Sequence, residues 1–113
     1  MSREWRLFLA DMIEFCERVI QYTDGLTREQ FESERKTYDA TIRNVELIGE
    51  AAKNLPDDVT DRYPDIPWRR IKRTRNILAH VYFGVDNDTL WNIIQNEIRP
   101  LLDRLREIEH DNP

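Results

Sequence analysis

Cysteine occurs once in this chain, at position 16, so an internal disulfide is impossible and a zinc site built on cysteines is excluded. A single cysteine fits a reducing cytosol. Glycine occurs three times, too little for the tight turns of a strand-rich chain, and this points to helices. No apolar run is long enough to cross a bilayer, and Ser2-Arg3-Glu4-Trp5 does not read as a signal peptide. Cations are in deficit: 17 Lys and Arg against 22 Asp and Glu give a net charge of −5, so the chain as a whole repels nucleic acid at long range. Internal repeats, low-complexity runs and linkers are also missing, as is any alternating stretch long enough for a strand.

What is present suits one helical domain over residues 1–113, able to bury roughly two-thirds of the surface its unfolded chain exposes. Hydrophobic residues make up 40% and charged residues 35%, a highly charged but foldable balance. Trp5, Phe8, Leu9, Met12, Cys16, Val19 and Ile20 recur at helical spacing and predict a first helix from about Arg3 to Tyr22, ended by Asp24-Gly25. In that stripe Cys16 reads as a small core residue rather than a nucleophile. Thr27-Arg28-Glu29-Gln30 has the form of a capping box opening a short helix that carries Phe31. Tyr38, Ile42, Val45, Ile48, Ala52 and Leu55 define a long helix over about Lys36 to Leu55. Gly49 inside it costs about 1 kcal/mol against alanine, which suggests close helix packing. Glu50 is read as solvated or as turned toward a neighbouring arginine.

Pro56-Asp57-Asp58 breaks that helix, and the polar segment to Pro64 has room for one turn. Asp65-Ile66-Pro67-Trp68 reads as the start of a helix whose apolar side is Trp68, Ile71 and Leu78. Phe83 to Asp88 reads as a turn in which Asp86 or Asp88 caps the last helix. That helix shows Leu90, Ile94, Ile98, Leu101, Leu105 and Ile108 in a near-heptad stripe, with Pro100 expected to bend it. Trp91 lies just off the stripe, placed to pack on a neighbour or to face a partner. The expected fold is all-α: a bundle of three long helices and one or two short ones.

The helix beginning near Pro67 carries the chemistry. Arg69, Arg70, Lys72, Arg73 and Arg75 place five cations in seven residues. A charge run is most often a solvated helix face, but this one also suits a phosphate-binding patch in an acidic body. It leads into Arg75-Asn76-Ile77-Leu78-Ala79-His80-Val81-Tyr82. On an ideal helix Asn76 and His80 share a face, while Arg75 and His80 differ in direction by about 140°. A permanent cation, an amide, an imidazole and a phenol thus fall within about two turns. An arginine grips phosphate through two parallel hydrogen bonds, and a histidine moves protons near neutral pH. The combination suits phosphodiester chemistry. Most ionisable residues are nevertheless structural: a lone histidine near a helix end is commonly a cap, and a lone arginine a surface group. The looser spacing recurs at Arg104 and His110, in a segment expected to be a frayed, exposed tail.

The longer string, Arg75-Asn76-x-x-x-His80-x-Tyr82, resembles the signature of the HepT toxins, which belong to the HEPN group of helical ribonucleases. Ile48-Gly49-Glu50-Ala51, Ile66-Pro67-Trp68, and Phe83-Gly84-Val85-Asp86 followed by Leu90-Trp91 stand where that family has comparable segments. The resemblance implies a homodimeric HEPN-type bundle in which two such strings meet across the two-fold axis to form one composite cleft. It implies metal-independent RNA cleavage with no cofactor, by the toxin of a type VII toxin–antitoxin pair. Arg75 and His80 match the catalytic pair of that family, and Asn76 its polar third member. The implied antitoxin is a minimal nucleotidyltransferase, MntA-like, that transfers AMP to the tyrosine matching Tyr82. Arg69, Arg70, Lys72 and Arg73 are the candidates for RNA binding. The alternative is a non-catalytic HEPN-like module that presents a substrate or nucleotide to a partner nucleotidyltransferase.

Overall fold

The computed structural model describes residues 4–74 and 86–113. Its first helix, α1 (Trp5–Thr23), follows from the apolar stripe: Leu9, Met12, Cys16 and Val19 are buried, with Ile13 beside them, and Trp5, Phe8 and Ile20 pack at the edge of the core. Glu4 opens α1 by accepting a hydrogen bond from the Arg6 N–H. Asp24 closes it, and Gly25 turns the chain with φ +77°, a conformation glycine adopts without a steric penalty. Burial pushes the Cys16 thiol up to about 12, and the neighbouring Glu17 adds to that. In the folded protein an alkylating reagent at pH 8 is therefore expected to leave Cys16 unmodified until denaturant exposes it. Rapid labelling without denaturant would show that this part of the core opens.

The capping box forms as the sequence predicts. The Gln30 N–H donates to Thr27 Oγ1 at 3.1 Å and the Thr27 N–H donates to Gln30 Oε1 at 2.9 Å, starting α2 (Arg28–Ser33) with Phe31 buried. The long helix α3 (Arg35–Ala52) packs against α1, α2 and α5 (Trp68–Lys72). Tyr38, Ile42, Val45, Ile48 and Ala52 are all buried, and Leu55 is buried just beyond the helix end. One turn, α4 (Asp57–Thr60), follows Pro56 as expected.

The last apolar stripe forms three consecutive pieces: α6 (Asn87–Asn92), a π-helical turn over Ile93–Glu97, and α7 (Ile98–Asp111). Pro100 explains the break. It has no N–H to donate, and its ring would collide with a carbonyl one turn earlier in a continuous α-helix. The wider π turn ends at Glu97, so that Pro100 falls in the first turn of α7, where no intrahelical donor is required. The extra residue in the turn shifts the register, and Leu102 is buried while Leu101 is half-buried.

The C-terminal segment is not frayed. The Arg104 guanidinium donates to both oxygens of Asp65, at 2.7 and 3.2 Å, and lies over the Tyr63 ring. It holds the Asp65 carboxyl below the usual carboxylate range. Asn112 donates to the Tyr63 hydroxyl at 3.0 Å, and its carbonyl accepts from Arg6 Nε at 3.0 Å. His110 stays exposed near the end of α7. The architecture is an all-α bundle, and among the described residues there is no strand.

Candidate functional site

Arg75, Asn76, His80 and Tyr82 lie outside the described residues, as do Leu78 and the first part of the Phe83–Asp88 turn. The structure does describe both flanks of that string and how the fold anchors them. On the N-terminal side, α5 begins after Pro67. Trp68 buries its ring and donates its indole N–H to the Tyr63 carbonyl at 3.1 Å, while Ile71 completes the apolar side. Gly49 of α3 makes room for this helix. A Cβ at that position would stand 2.8 Å from the Ile71 carbonyl oxygen. Immediately afterwards, Thr74 is buried and returns its hydroxyl to the Ile71 carbonyl at 2.7 Å.

On the C-terminal side, Asp86 occupies the N-cap of α6 and its carboxylate accepts from the Thr89 hydroxyl, not from a backbone N–H. The Tyr38 hydroxyl donates to the Asn87 side-chain carbonyl, Arg28 pairs with Asp88 at 2.6 Å, and Trp91 packs on Phe31 with ring centroids 5.6 Å apart. Trp91 is thus turned to a neighbouring helix. Both flanks are fastened to α3, one at Gly49 and one at Tyr38, positions about 16 Å apart along its axis. This clasp joins residues far apart in sequence, and nothing in local periodicity signals it.

The basic run is arranged by helix geometry. Arg69, Arg70 and Arg73 are exposed and Lys72 is half-buried. Arg69 and Lys72, three positions apart, line one open groove with Pro64, Pro67 and Trp68. Arg70 faces the other side of α5 and pairs with Glu97 at 2.7 Å. Among the described residues no ion pair involves Arg69, Lys72 or Arg73, so these three remain available to an anion. Local reading of the charge run gave no sign that Glu97, at the end of the π turn, takes up one of its cations. Glu50 is half-buried, and its carbonyl accepts from Asn54. Among the described residues no three His, Cys, Asp or Glu side chains gather as a metal site, and no helix is long and apolar enough to cross a membrane.

A family model described as "Ribonuclease HepT-like" matches residues 12–108. The chain is 38% identical to MJ0127 of Methanocaldococcus jannaschii, a protein that carries an RNase name, over 97% of this chain and 91% of that one. It is also 38% identical to the "Probable ribonuclease HepT" of Thermococcus cleftensis, over 96% and 98% of the two chains. TTE0752 of Caldanaerobacter subterraneus subsp. tengcongensis, likewise named as an RNase, is 35% identical over 91% and 92%. No solved structure matches the chain.

Proposed function

The chain belongs to the HepT-like ribonuclease family, and from that premise we propose that it is an RNA-cleaving toxin whose reactive groups are Arg75 and His80, supported by Asn76. The observation that carries this reading is the string Arg75-Asn76-x-x-x-His80-x-Tyr82, which directly follows a helix presenting Arg69, Lys72 and Arg73 without described carboxylate partners.

RNA supplies its own nucleophile. His80 takes the proton of a 2′-hydroxyl, and the 2′-oxygen attacks the adjacent phosphorus as the bond to the 5′-oxygen breaks. Negative charge grows on the phosphoryl oxygens, and Arg75 holds it through two parallel hydrogen bonds. Asn76, four positions before His80 in the sequence, orients the imidazole or the phosphate. In a homodimer with two strings facing one cleft, one His80 acts as base while its mate protonates the departing 5′-oxygen. The products are a 2′,3′-cyclic phosphate and a 5′-hydroxyl, and the scheme draws on no metal. The test is a matched pair of oligonucleotides. The all-ribo strand is expected to be cut to cyclic-phosphate ends, whereas a strand with 2′-deoxyribose at the cut site is left intact. Equal cutting of both would overturn the scheme.

Silencing belongs to the same proposal. A minimal nucleotidyltransferase of the MntA type transfers AMP from ATP to the Tyr82 hydroxyl, breaking the bond between the α- and β-phosphates and releasing pyrophosphate, which places a bulky anion two positions from His80. The added phosphate then competes with RNA for Arg75 and the basic helix. Tyr82→Phe is expected to keep at least about half of the RNase activity while accepting no AMP from such an enzyme. Loss of cleavage in a folded Tyr82→Phe protein would move the phenol into the chemistry instead.

A further inference from the structure

A cavity of about 360 Å³ lies between α3, α5, the π turn and α7. Its walls are mostly aliphatic, with Val45, Ile48, Ile71, Ile93 and Leu101 among them. Two ion pairs line it and join its walls. Arg104 of α7 holds Asp65, which lies just before α5, and Arg70 of α5 holds Glu97, the last residue of the π turn. Thr74 also lines the cavity, and its hydroxyl donates to the Ile71 carbonyl. Arg70 and Thr74 are four positions apart, and Arg75 follows Thr74 directly. The Arg70–Glu97 pair therefore reaches α5 little more than one turn before the candidate catalytic string begins.

Such a space beside a short helix has a mechanical consequence. Protein interiors are close-packed, and a void leaves the elements around it without contacts on that side. On its α3 side α5 is fixed by buried Trp68 and Ile71 and by the close approach at Gly49. On the cavity side the ion pairs take the place of packed side chains. Arg104 acts on the chain before α5, so of these two pairs it is Arg70–Glu97 that holds the helix itself. The π turn supplies the partner: one extra residue rotates the side chains that follow by about 100°, and Glu97 closes that turn. Stability does not account for the pair. The two side chains keep 57% and 28% of their exposure, and ion pairs so open to water stabilise a fold little. Glu97 Oε2 is moreover shielded from solvent with no hydrogen-bond partner among the described residues, which is destabilising.

Resting on the ribonuclease reading, we propose that Arg70 and Glu97 are positioning residues for RNA cleavage. The pair fixes the tilt of α5 across the cavity, and with it the place from which Arg75 reaches the phosphate. Neither side chain touches the RNA or takes part in making or breaking a bond. Arg70 thereby leaves the set of RNA-binding cations, which keeps Arg69, Lys72 and Arg73. The assignment explains why one member of a basic run is given up to a carboxylate. A fixed carboxylate beside an RNA surface repels phosphate, and it is tolerated where the cation it holds is needed for geometry.

The experiment uses the purified full chain and one RNA oligonucleotide that it cuts. Arg70→Met keeps an unbranched stem and removes the charge, and Glu97→Gln keeps the size of its side chain. Each is expected to lower kcat per folded molecule about tenfold, a loss of the order that misaligned groups produce, with KM within about twofold of wild type. The double variant should be no slower than either single one, because both remove the same link. Arg70→Lys, which retains a cation within reach of Glu97, should recover most of the rate. Tm should fall by no more than about 5 °C in any of them. A raised KM and a weaker salt dependence in Arg70→Met, with kcat unchanged in Glu97→Gln, would make Arg70 an RNA ligand and overturn the proposal. Unchanged kcat per folded molecule in both single variants overturns it as well, leaving the pair a surface contact. So do losses that multiply in the double variant. All three outcomes leave the ribonuclease reading standing. If the wild-type chain cuts no RNA, that reading itself falls, and the positioning role falls with it.

Discussion

His80→Ala is expected to lower the rate of RNA cleavage by about 10²–10⁴-fold and to remove the growth arrest expected of the wild-type chain. The magnitude is that of one lost general base. A 2′-hydroxyl is a weak acid, and without a base at the reacting centre its proton must pass to water as the nucleophile forms. Arg75→Ala should cost about 10²–10³-fold through a different term, the loss of donors aimed at charge that appears only in the transition state. The two losses should add to less than their product, because both groups act on one transition state. The proposed homodimer sharpens this expectation. If base and acid are the same residue on two subunits, a purified heterodimer with one His80→Ala subunit is nearly as impaired as the double variant. Half the wild-type rate in that heterodimer would mean two independent sites. A thermal melt matching the wild type separates lost chemistry from lost folding. Under the alternative of a non-catalytic presenting module, His80→Ala would leave both growth and RNA unchanged.

The parts of the fold that local chemistry dictates could be read directly from the chain. A stripe at helical period specifies its own burial, as Leu9, Met12, Cys16 and Val19 show. The Thr27–Gln30 capping box closes within four residues, so its reciprocal bonds follow from sequence alone. Gly49 was legible for a related reason: a glycine in an otherwise strong helix costs stability, and a neighbour that needs the space accounts for it.

What escaped depends on partners distant in sequence or on a choice between degenerate solutions. Pro100 guarantees a disturbance, but a bend, a break and a π turn all relieve the same clash. Only the packed structure selects the π turn, and with it the burial of Leu102 ahead of Leu101. The Arg104–Asp65 pair and the Asn112–Tyr63 bond join residues some forty to fifty positions apart, so the tail looked frayed when read locally. The candidate site divides in the same way. Its reactive residue types and spacing are local and visible. The pairing of Arg70 with Glu97, which separates one cation of the run from the three other described ones, is not.

Gly49→Val is expected to destabilise the protein by about 1–3 kcal/mol, the usual range for overpacking, and to lower RNA cleavage per folded molecule as well. The reasoning starts from the atom that would be struck. A Cβ at Gly49 meets the Ile71 carbonyl oxygen at 2.8 Å, closer than side-chain carbons approach such atoms in real proteins. That oxygen is backbone, held in α5 and already accepting from the Thr74 hydroxyl, so it cannot swing aside as the end of a flexible side chain would. The helix must move as a body, away from α3. Thr74 moves with it, and the candidate catalytic string begins at the next residue. Displacement of this kind costs rate even where every reacting group is retained, because cleavage needs the groups aligned on one phosphate. Gly49→Ala separates the two contributions. Alanine gains about 1 kcal/mol in helix propensity, yet it carries the same Cβ into the same carbonyl. It should therefore melt below the wild type despite the better propensity. Gly25→Ala is the control: it loses stability through its positive φ, with no atom within 4 Å of the added carbon, and it should leave cleavage per folded molecule unchanged. A Gly49→Ala protein that melts at or above the wild-type temperature and cuts RNA normally would show that α5 has slack against α3, and that this contact does not set the geometry of the site.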